Sequence, residues 1–247
     1  MTGTTSGTTP RGSAGEREAS AWVRSMFGRI APRYDLANHL LSFNLDRHWR
    51  AVTVGRVREI LKRPGARILD VCCGTGDLLA ALSGEAAGEV FGSDFCQPML
   101  TAAHAKLARR RMPSRLFEAD ALQLPLAAES LDLITVAFGF RNLANYEQGL
   151  AEMHRVLKPE GMAAILEFSQ PRNPVFAALY GFYSRCVLPA IGGALSGSRD
   201  AYEYLPESIG KFPTAEQLAQ RMQAAGFRSV EFLRMTAGTV ALHVAVK

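Results

Sequence analysis

Cysteine is scarce in this chain, and uninterrupted apolar stretches are scarcer. The four cysteines, Cys72, Cys73, Cys96 and Cys186, form no C-x-x-C pair and have no histidine cluster beside them. That excludes a thioredoxin-type redox motif and a structural zinc site, and it suits a reducing compartment, the cytoplasm. No run offers the roughly 20 apolar residues that a bilayer-crossing helix needs. The nearest approach, residues 175–195, is broken by Arg185, Pro189 and three glycines. The opening stretch MTGTTSGTTPRGSAGE lacks the apolar centre of a secretory signal. It is also too polar to offset its ordering entropy by burial, so residues 1–17 are expected to be disordered. Acidic residues are slightly outnumbered, 23 against 28 basic ones, for a formal net charge of +5. An excess of that size suits contact with lipid, nucleic acid or an acidic substrate, or solubility alone.

What is present is an alternation. With 48% hydrophobic and 21% charged residues, the 247-residue chain has an ordinary soluble composition and the length of one α/β domain carrying an insertion. Short β-branched runs at 67–71, 89–93, 115–118, 131–136 and 162–168 are separated by helical segments. One helix carries Met99, Leu100, Ala103 and Leu107 on one face; others open on Asn145, with Gln148 three residues on, and on Thr214, with Gln217 at the same spacing. Pro159-Glu160-Gly161 is read as a helix stop, and the runs 228–233 and 240–246 as an antiparallel hairpin. The pattern implies a parallel sheet with helices on both faces. Residues 18–62 form a helical cover ahead of it and residues 170–212 an insertion, both placed to fold over the carboxyl edge of the sheet, where such folds bind ligands.

The chemistry concentrates in Asp70-Val71-Cys72-Cys73-Gly74-Thr75-Gly76-Asp77, at a strand end opening into a helix. Gly74 and Gly76 let the backbone approach a ligand. Asp94 ends the next strand, 20 residues beyond Gly74, where a carboxylate can accept from ribose hydroxyls. A dinucleotide fits less well. Leu79 replaces the third glycine of G-x-G-x-x-G, and the Asp77 carboxylate would repel a pyrophosphate at the helix N-terminus. S-adenosylmethionine, with a sulfonium and an ammonium, suits Asp70 and Asp77 better. A glycine turn without ligand is the bland alternative. Asp120 and Ala121 follow the third strand, where they would cap an adenine or form a mere surface turn. After the fourth strand, Arg141 and Asn142 set donors beside Phe138 and Phe140, a mixture suited to an oxygen-substituted aromatic substrate; a structural ion pair for Arg141 is the alternative.

Arg33-Tyr34-Asp35, Trp49-Arg50, the glycine loop, Phe138-Gly139 with Arg141-Asn142, Leu166-Glu167-Phe168-Ser169, and Tyr204-Leu205 with Glu207-Ser208-Ile209 stand together in one chain. From Val23 onward it resembles the C-methyltransferase family of menaquinone and ubiquinone biosynthesis. The resemblance implies a class I methyltransferase: a Rossmann-like, seven-stranded, mostly parallel sheet with an antiparallel C-terminal strand, in a single domain over residues 18–247. It implies S-adenosylmethionine as methyl donor, no metal, and C-methylation of a polyprenylated quinol, demethylmenaquinol to menaquinol or a methoxy-polyprenylbenzoquinol to its ring-methylated product. By position, Thr75, Asp94, Asp120 and Ala121 become cofactor contacts. Cys73 and Ala137 depart from the family's small residues. Asn44 and Asp46 stand where Gly and His are common, so no role is assigned to that stretch.

On this reading Arg141 orients or stabilises a phenolate, aided by Asn142. Tyr34, Tyr204 and His243 are the remaining candidates for proton handling; His243 lies in the terminal strand, where a structural role is expected. The aromatic, nearly uncharged residues 174–195 are expected to rest on the inner membrane surface and admit the prenyl tail, or to serve as a lid or homodimer contact. A non-catalytic cofactor-binding subunit is a further alternative, disfavoured by Asp94, Arg141 and Asn142. Nucleic acid is not expected: Arg109-Arg110-Arg111 ends a helix, where cations favour the dipole.

Overall fold

The computed structural model describes residues 7–10, 12–183 and 199–247. Five strands run parallel: β1 (Arg67–Val71), β2 (Glu89–Asp94), β3 (Leu116–Glu118), β4 (Leu131–Ala137) and β5 (Leu157–Phe168). β7 (Val240–Val246) runs antiparallel to both of its neighbours, β5 and β6 (Ser229–Met235), and the sheet order is β3-β2-β1-β4-β5-β7-β6. The described helices are α1 (Glu16–Ile30), α2 (Tyr34–Leu41), α3 (Leu45–Arg56), α4 (Arg58–Leu61), α5 (Asp77–Ser83), α6 (Gln97–Arg109), α7 (Tyr146–Val156), α8 (Pro174–Phe182), α9 (Arg199–Lys211) and α10 (Ala215–Ala224).

The strands are apolar on both faces because both are covered. Ile68, Leu133, Ala164 and Leu242 pack with α3, α4 and α5 on one side. Their sequence neighbours Leu69, Ile134, Ala163 and Ile165 pack with α7 and α10 on the other. A third cluster joins Val23, Met26 and Ile30 of α1 to Met99 of α6 and to Ala201 and Tyr204 of α9. The cover is thus seated on the sheet's helices and on the insertion at once.

Local signals held at the helix starts. Asn145 accepts from the Gln148 N–H, although the Gln148 side chain turns to the Leu122 carbonyl instead of completing the box. Thr214 and Gln217 make the full reciprocal box. Two expectations fail. Lys158–Gly161 do not merely stop a helix; they belong to β5, which begins at Leu157 opposite Leu131 and shifts register before Leu133, with Glu160 at φ +63°. Part of the tail expected to be disordered is ordered. Thr8 is buried, its N–H donates to the Leu143 carbonyl at 2.8 Å, and its hydroxyl meets the Tyr204 hydroxyl at 2.6 Å. Those long-range partners, invisible in a Thr/Gly/Ser composition, offset the cost of ordering.

Candidate active site

The carboxyl ends of the parallel strands deliver the site. After β1 the chain turns through Cys72, Gly74 and Gly76, all at positive φ. A side chain at Gly74 would enter open space on the ligand side, whereas one at Gly76 would press within 3.2 Å of Ala103. Gly74 therefore leaves the approach clear, and Gly76 lets α6 pack behind the loop. Asp94, at the end of β2, accepts the Gly74 N–H at 2.9 Å and the Cys96 N–H at 2.9 Å. Burial nonetheless raises its pKa to about 6. Asp70 is buried beneath the loop and accepts from Thr135 at 2.7 Å; burial outweighs that bond and raises it to about 7. Burial also pushes the Cys72 and Cys73 thiols up, so neither is poised as a thiolate.

A cavity opens over this edge, lined by Asp70, Gly74, Thr75, Asp77, Asp94, Asp120 and Ala121 among others. Six of the seven residues expected to contact the cofactor lie on it; Gly76 is not among the lining residues. The donor set suits S-adenosylmethionine: carboxylates for ribose and ammonium, an open backbone at Gly74, and apolar Phe95, Met99 and Leu122 for a flat base. A second, larger cavity adjoins it, walled by Met26, Ile30, Leu41, Trp49, Phe168, Tyr180, Tyr183 and Ile209. Phe27, Tyr34, Arg50 and Phe138 line both. The two chambers therefore meet at those four side chains.

The four expected catalytic residues distribute around that junction. Tyr34 lines both chambers, Asn142 the first, and Arg141 and Tyr204 the second. Tyr204 donates to Asn142 Oδ1 at 3.0 Å. Arg141 is buried, and Nη1 donates to Glu167 Oε1 at 3.0 Å while its backbone N–H reaches Glu167 Oε2 at 3.1 Å. Burial favours the neutral guanidine, but Glu167, Tyr34 and Tyr204 more than compensate and raise its pKa. Its Nε is buried with no hydrogen-bond partner. The structural ion pair weighed as an alternative thus exists, with Nη1 also donating to the Phe138 carbonyl. His243 lines neither chamber. It contacts the Ala215 carbonyl at 2.8 Å, and burial lowers it to about 4.

Residues that drew no assignment matter here. Glu167 lay in the Leu-Glu-Phe-Ser run, but nothing in the sequence paired it with Arg141. Asp46, also without an assigned role, is buried at the start of α3. It accepts from Ser42 at 2.8 Å, contacts His39 Nδ1 at 2.8 Å and pairs with Arg50. Asn44 just before it sits at φ +59°, a conformation that asparagine tolerates better than most residues. Burial would raise the Asp46 pKa, but the Ser42 hydroxyl and Arg50 outweigh it and hold the carboxyl low. Lys106 binds both Asp35 at 2.7 Å and Asp77 at 2.5 Å, and Thr75 donates to Asp35 at 2.5 Å. The His39 ring and the Asp46 and Asp77 carboxylates lie close enough together to hold a cation, but the two carboxylates already face Arg50 and Lys106. This network fastens the cover to the glycine loop.

Comparison with known proteins follows the same line. The description "ubiE/COQ5 methyltransferase family" matches residues 14–247. A demethylmenaquinone methyltransferase from Thermus thermophilus is 49% identical over 220 residues, covering 89% of this chain and 98% of that protein. A ubiquinone/menaquinone biosynthesis C-methyltransferase UbiE from Syntrophotalea carbinolica is 47% identical, covering 90% and 92%. Among solved structures, a SAM dependent methyltransferase from Aquifex aeolicus aligns with a TM-score of 0.56 at 21% identity, over 78% of this chain and 88% of that one. The [4+2]-cyclase SpnF aligns at 0.68 and 18%, over 92% and 96%. At such identities the structural likeness speaks for the fold alone.

Proposed function

The chain belongs to the ubiE/COQ5 methyltransferase family, and from that premise we propose that it methylates a ring carbon of demethylmenaquinol. The observation that carries the reading is the pair of chambers meeting at Phe27, Tyr34, Arg50 and Phe138: one set with carboxylates around a glycine loop, the other walled by aromatic and aliphatic side chains. The family and its named relatives support S-adenosylmethionine as the donor. When bound, it supplies a methyl group on a sulfonium leaving group.

The protein's share is alignment and charge. Alignment of two bound reactants can supply roughly 7–11 kcal/mol. Arg141 keeps its proton, so it does not act as the base; its guanidinium, at the wall of the second chamber, stabilises the phenolate that makes the neighbouring ring carbon nucleophilic. Tyr34 at the junction, and Tyr204, whose hydroxyl Asn142 orients through Oδ1, relay the departing proton from the quinol hydroxyl to water. Asp94 takes the ribose, and Asp120 with Ala121 the adenine. α8 and α9 close the second chamber as a lid.

The same reading includes peripheral contact with the inner membrane surface. No described helix is long and apolar enough to cross a membrane. Leu36, Leu40, Phe43 and Leu45 are nevertheless exposed, and Phe43 and Leu45 also line the apolar chamber. Of residues 174–195, expected to make that contact, 184–195 lie outside the described residues, as does Cys186. The decisive experiment offers the protein short-chain demethylmenaquinol and the corresponding methoxybenzoquinol with labelled cofactor. Label in the naphthoquinol product is expected. Methylation of the benzoquinol alone, or of neither while cofactor still binds, would overturn the assignment.

A further inference from the structure

The first chamber is lopsided in charge. Asp70, Asp77, Asp94 and Asp120 line it, and the one basic residue among its described lining residues is Arg50. Arg50 comes from α3 in the cover, not from the sheet. Its Nη1 is held by buried Asp46, its Cζ lies 5.6 Å over the Phe138 ring, and its Nη2 stands 3.8 Å from Asp77, too far for a hydrogen bond. A guanidinium carries five donors in a planar fork. Here one nitrogen is anchored and the other is left at the chamber wall.

The cofactor of the proposed reaction carries one anionic group, the α-carboxylate of its methionine portion. The backbone donors that a glycine loop often turns on an anion are largely taken. Cys73 N–H donates to the Ser93 carbonyl, Gly74 N–H to Asp94, and Gly76 N–H to the Cys73 carbonyl. The carboxylates Asp94 and Asp120 mark the ribose and adenine end of the chamber. Phe138, against which Arg50 packs, marks the end that opens on the second chamber.

We infer that Arg50 binds the α-carboxylate of the cofactor, with Asp46 as the positioning residue that fixes its guanidinium. The inference rests on the proposed methyl-transfer reading and adds a consequence to it. Because α3 also walls the second chamber through Leu45 and Trp49, the cofactor carboxylate would add a further tie to the one that Asp35 and Lys106 already make between the cover and the glycine loop.

The test compares two ligands that differ in the amino-acid end: S-adenosylhomocysteine, which has the carboxylate, and 5′-methylthioadenosine, which lacks it. Calorimetric titration of the wild type, Arg50→Gln and the neutral pair Asp46→Asn with Arg50→Gln reads both affinities. The double variant leaves no buried charge without its partner, so it serves where the single one fails to fold. The expected result is a loss of roughly 10- to 100-fold for S-adenosylhomocysteine, the scale of charge-assisted hydrogen bonds, with 5′-methylthioadenosine unchanged. Equal losses for both ligands, or a loss for neither, would overturn the assignment. A wild type that binds neither ligand would instead remove the methyl-transfer reading, and this inference with it.

Discussion

The two chambers are built by different means. The first stands on strand ends. Asp70, Asp94, Ala121 and Phe138 each lie at or just beyond the end of a parallel strand, or a short turn past it, and the sheet register fixes their spacing. The second is assembled from helices outside the sheet alternation, α1, α2, α3, α8 and α9, through contacts between residues far apart in the chain. A sheet edge is a common solution to holding a nucleoside; a roof of loosely patterned helices is free to fit one substrate.

That division can be broken at its seam, beginning where the largest effect is expected. Glu167→Gln leaves the buried Arg141 guanidinium without its counter-charge and should destabilise the protein by about 3–5 kcal/mol, read as a lowered urea midpoint. An unchanged midpoint would mean that the pair is not a structural keystone. Arg141→Ala should lower kcat by about 10²–10³-fold, the usual scale for one oxyanion donor, with S-adenosylhomocysteine affinity retained. If affinity falls equally, the chambers are not separable. Asp94→Ala should weaken that ligand by roughly 10–100-fold, as lost charge-assisted bonds do. In the wild type, the same affinity should decline as pH falls through about 6, because ribose hydroxyls donate to the ionised carboxylate; a flat profile would take Asp94 off the ribose.

Smaller effects test each side separately. Asp70 has a folded-state pKa raised to about 7 by burial, above its ordinary value. Its contribution to stability is therefore full below pH 4 and lost as pH rises through 7. The ligand-free urea midpoint should carry that downward slope between about pH 4 and 7, shared with Asp94 below about 6, and Asp70→Asn should flatten the part between about 6 and 7. Tyr204→Phe removes bonds to Thr8 and Asn142 at a cost of about 0.5–1.5 kcal/mol each, and it should expose the N-terminal residues to limited proteolysis. Unchanged proteolysis would show that the bonds from the Thr8 N–H to Leu143 and from Lys211 to Thr9 suffice to hold the segment.

The chambers also differed in how legible they were. Strand β1, the turn and Asp94 are local or evenly spaced, so period and glycine placement sufficed to find them. The helix starts at Asn145 and Thr214 were legible for the same reason. Glu167, Asp46 and Arg50 were not, because a carboxylate in a strand or a short helix looks the same whether it faces solvent or a buried guanidinium. Arg50 drew notice only as part of a Trp-Arg pair, and its place between two chambers depends on how α3 packs on α5 and β5. Thr8 was misread since composition reports what a segment can bury, not what it finds to bond with. The start of β5 was missed because Pro159 and Gly161 end a helix and also permit the irregular entry of a strand, here one that shifts register against β4 between Leu131 and Leu133.

β7, the last strand of the chain, lies between β5 and β6. During synthesis, β5 must therefore wait with one edge open until residues 240–246 arrive. β5 carries Glu167, the partner of Arg141, so the Arg141 guanidinium is among the last parts of the molecule to gain a settled environment. An open strand edge is a template for the wrong neighbour. A ribosome-bound chain ending near residue 230 should hold the glycine loop and most of the sheet, yet be both inactive and prone to pair with its own kind.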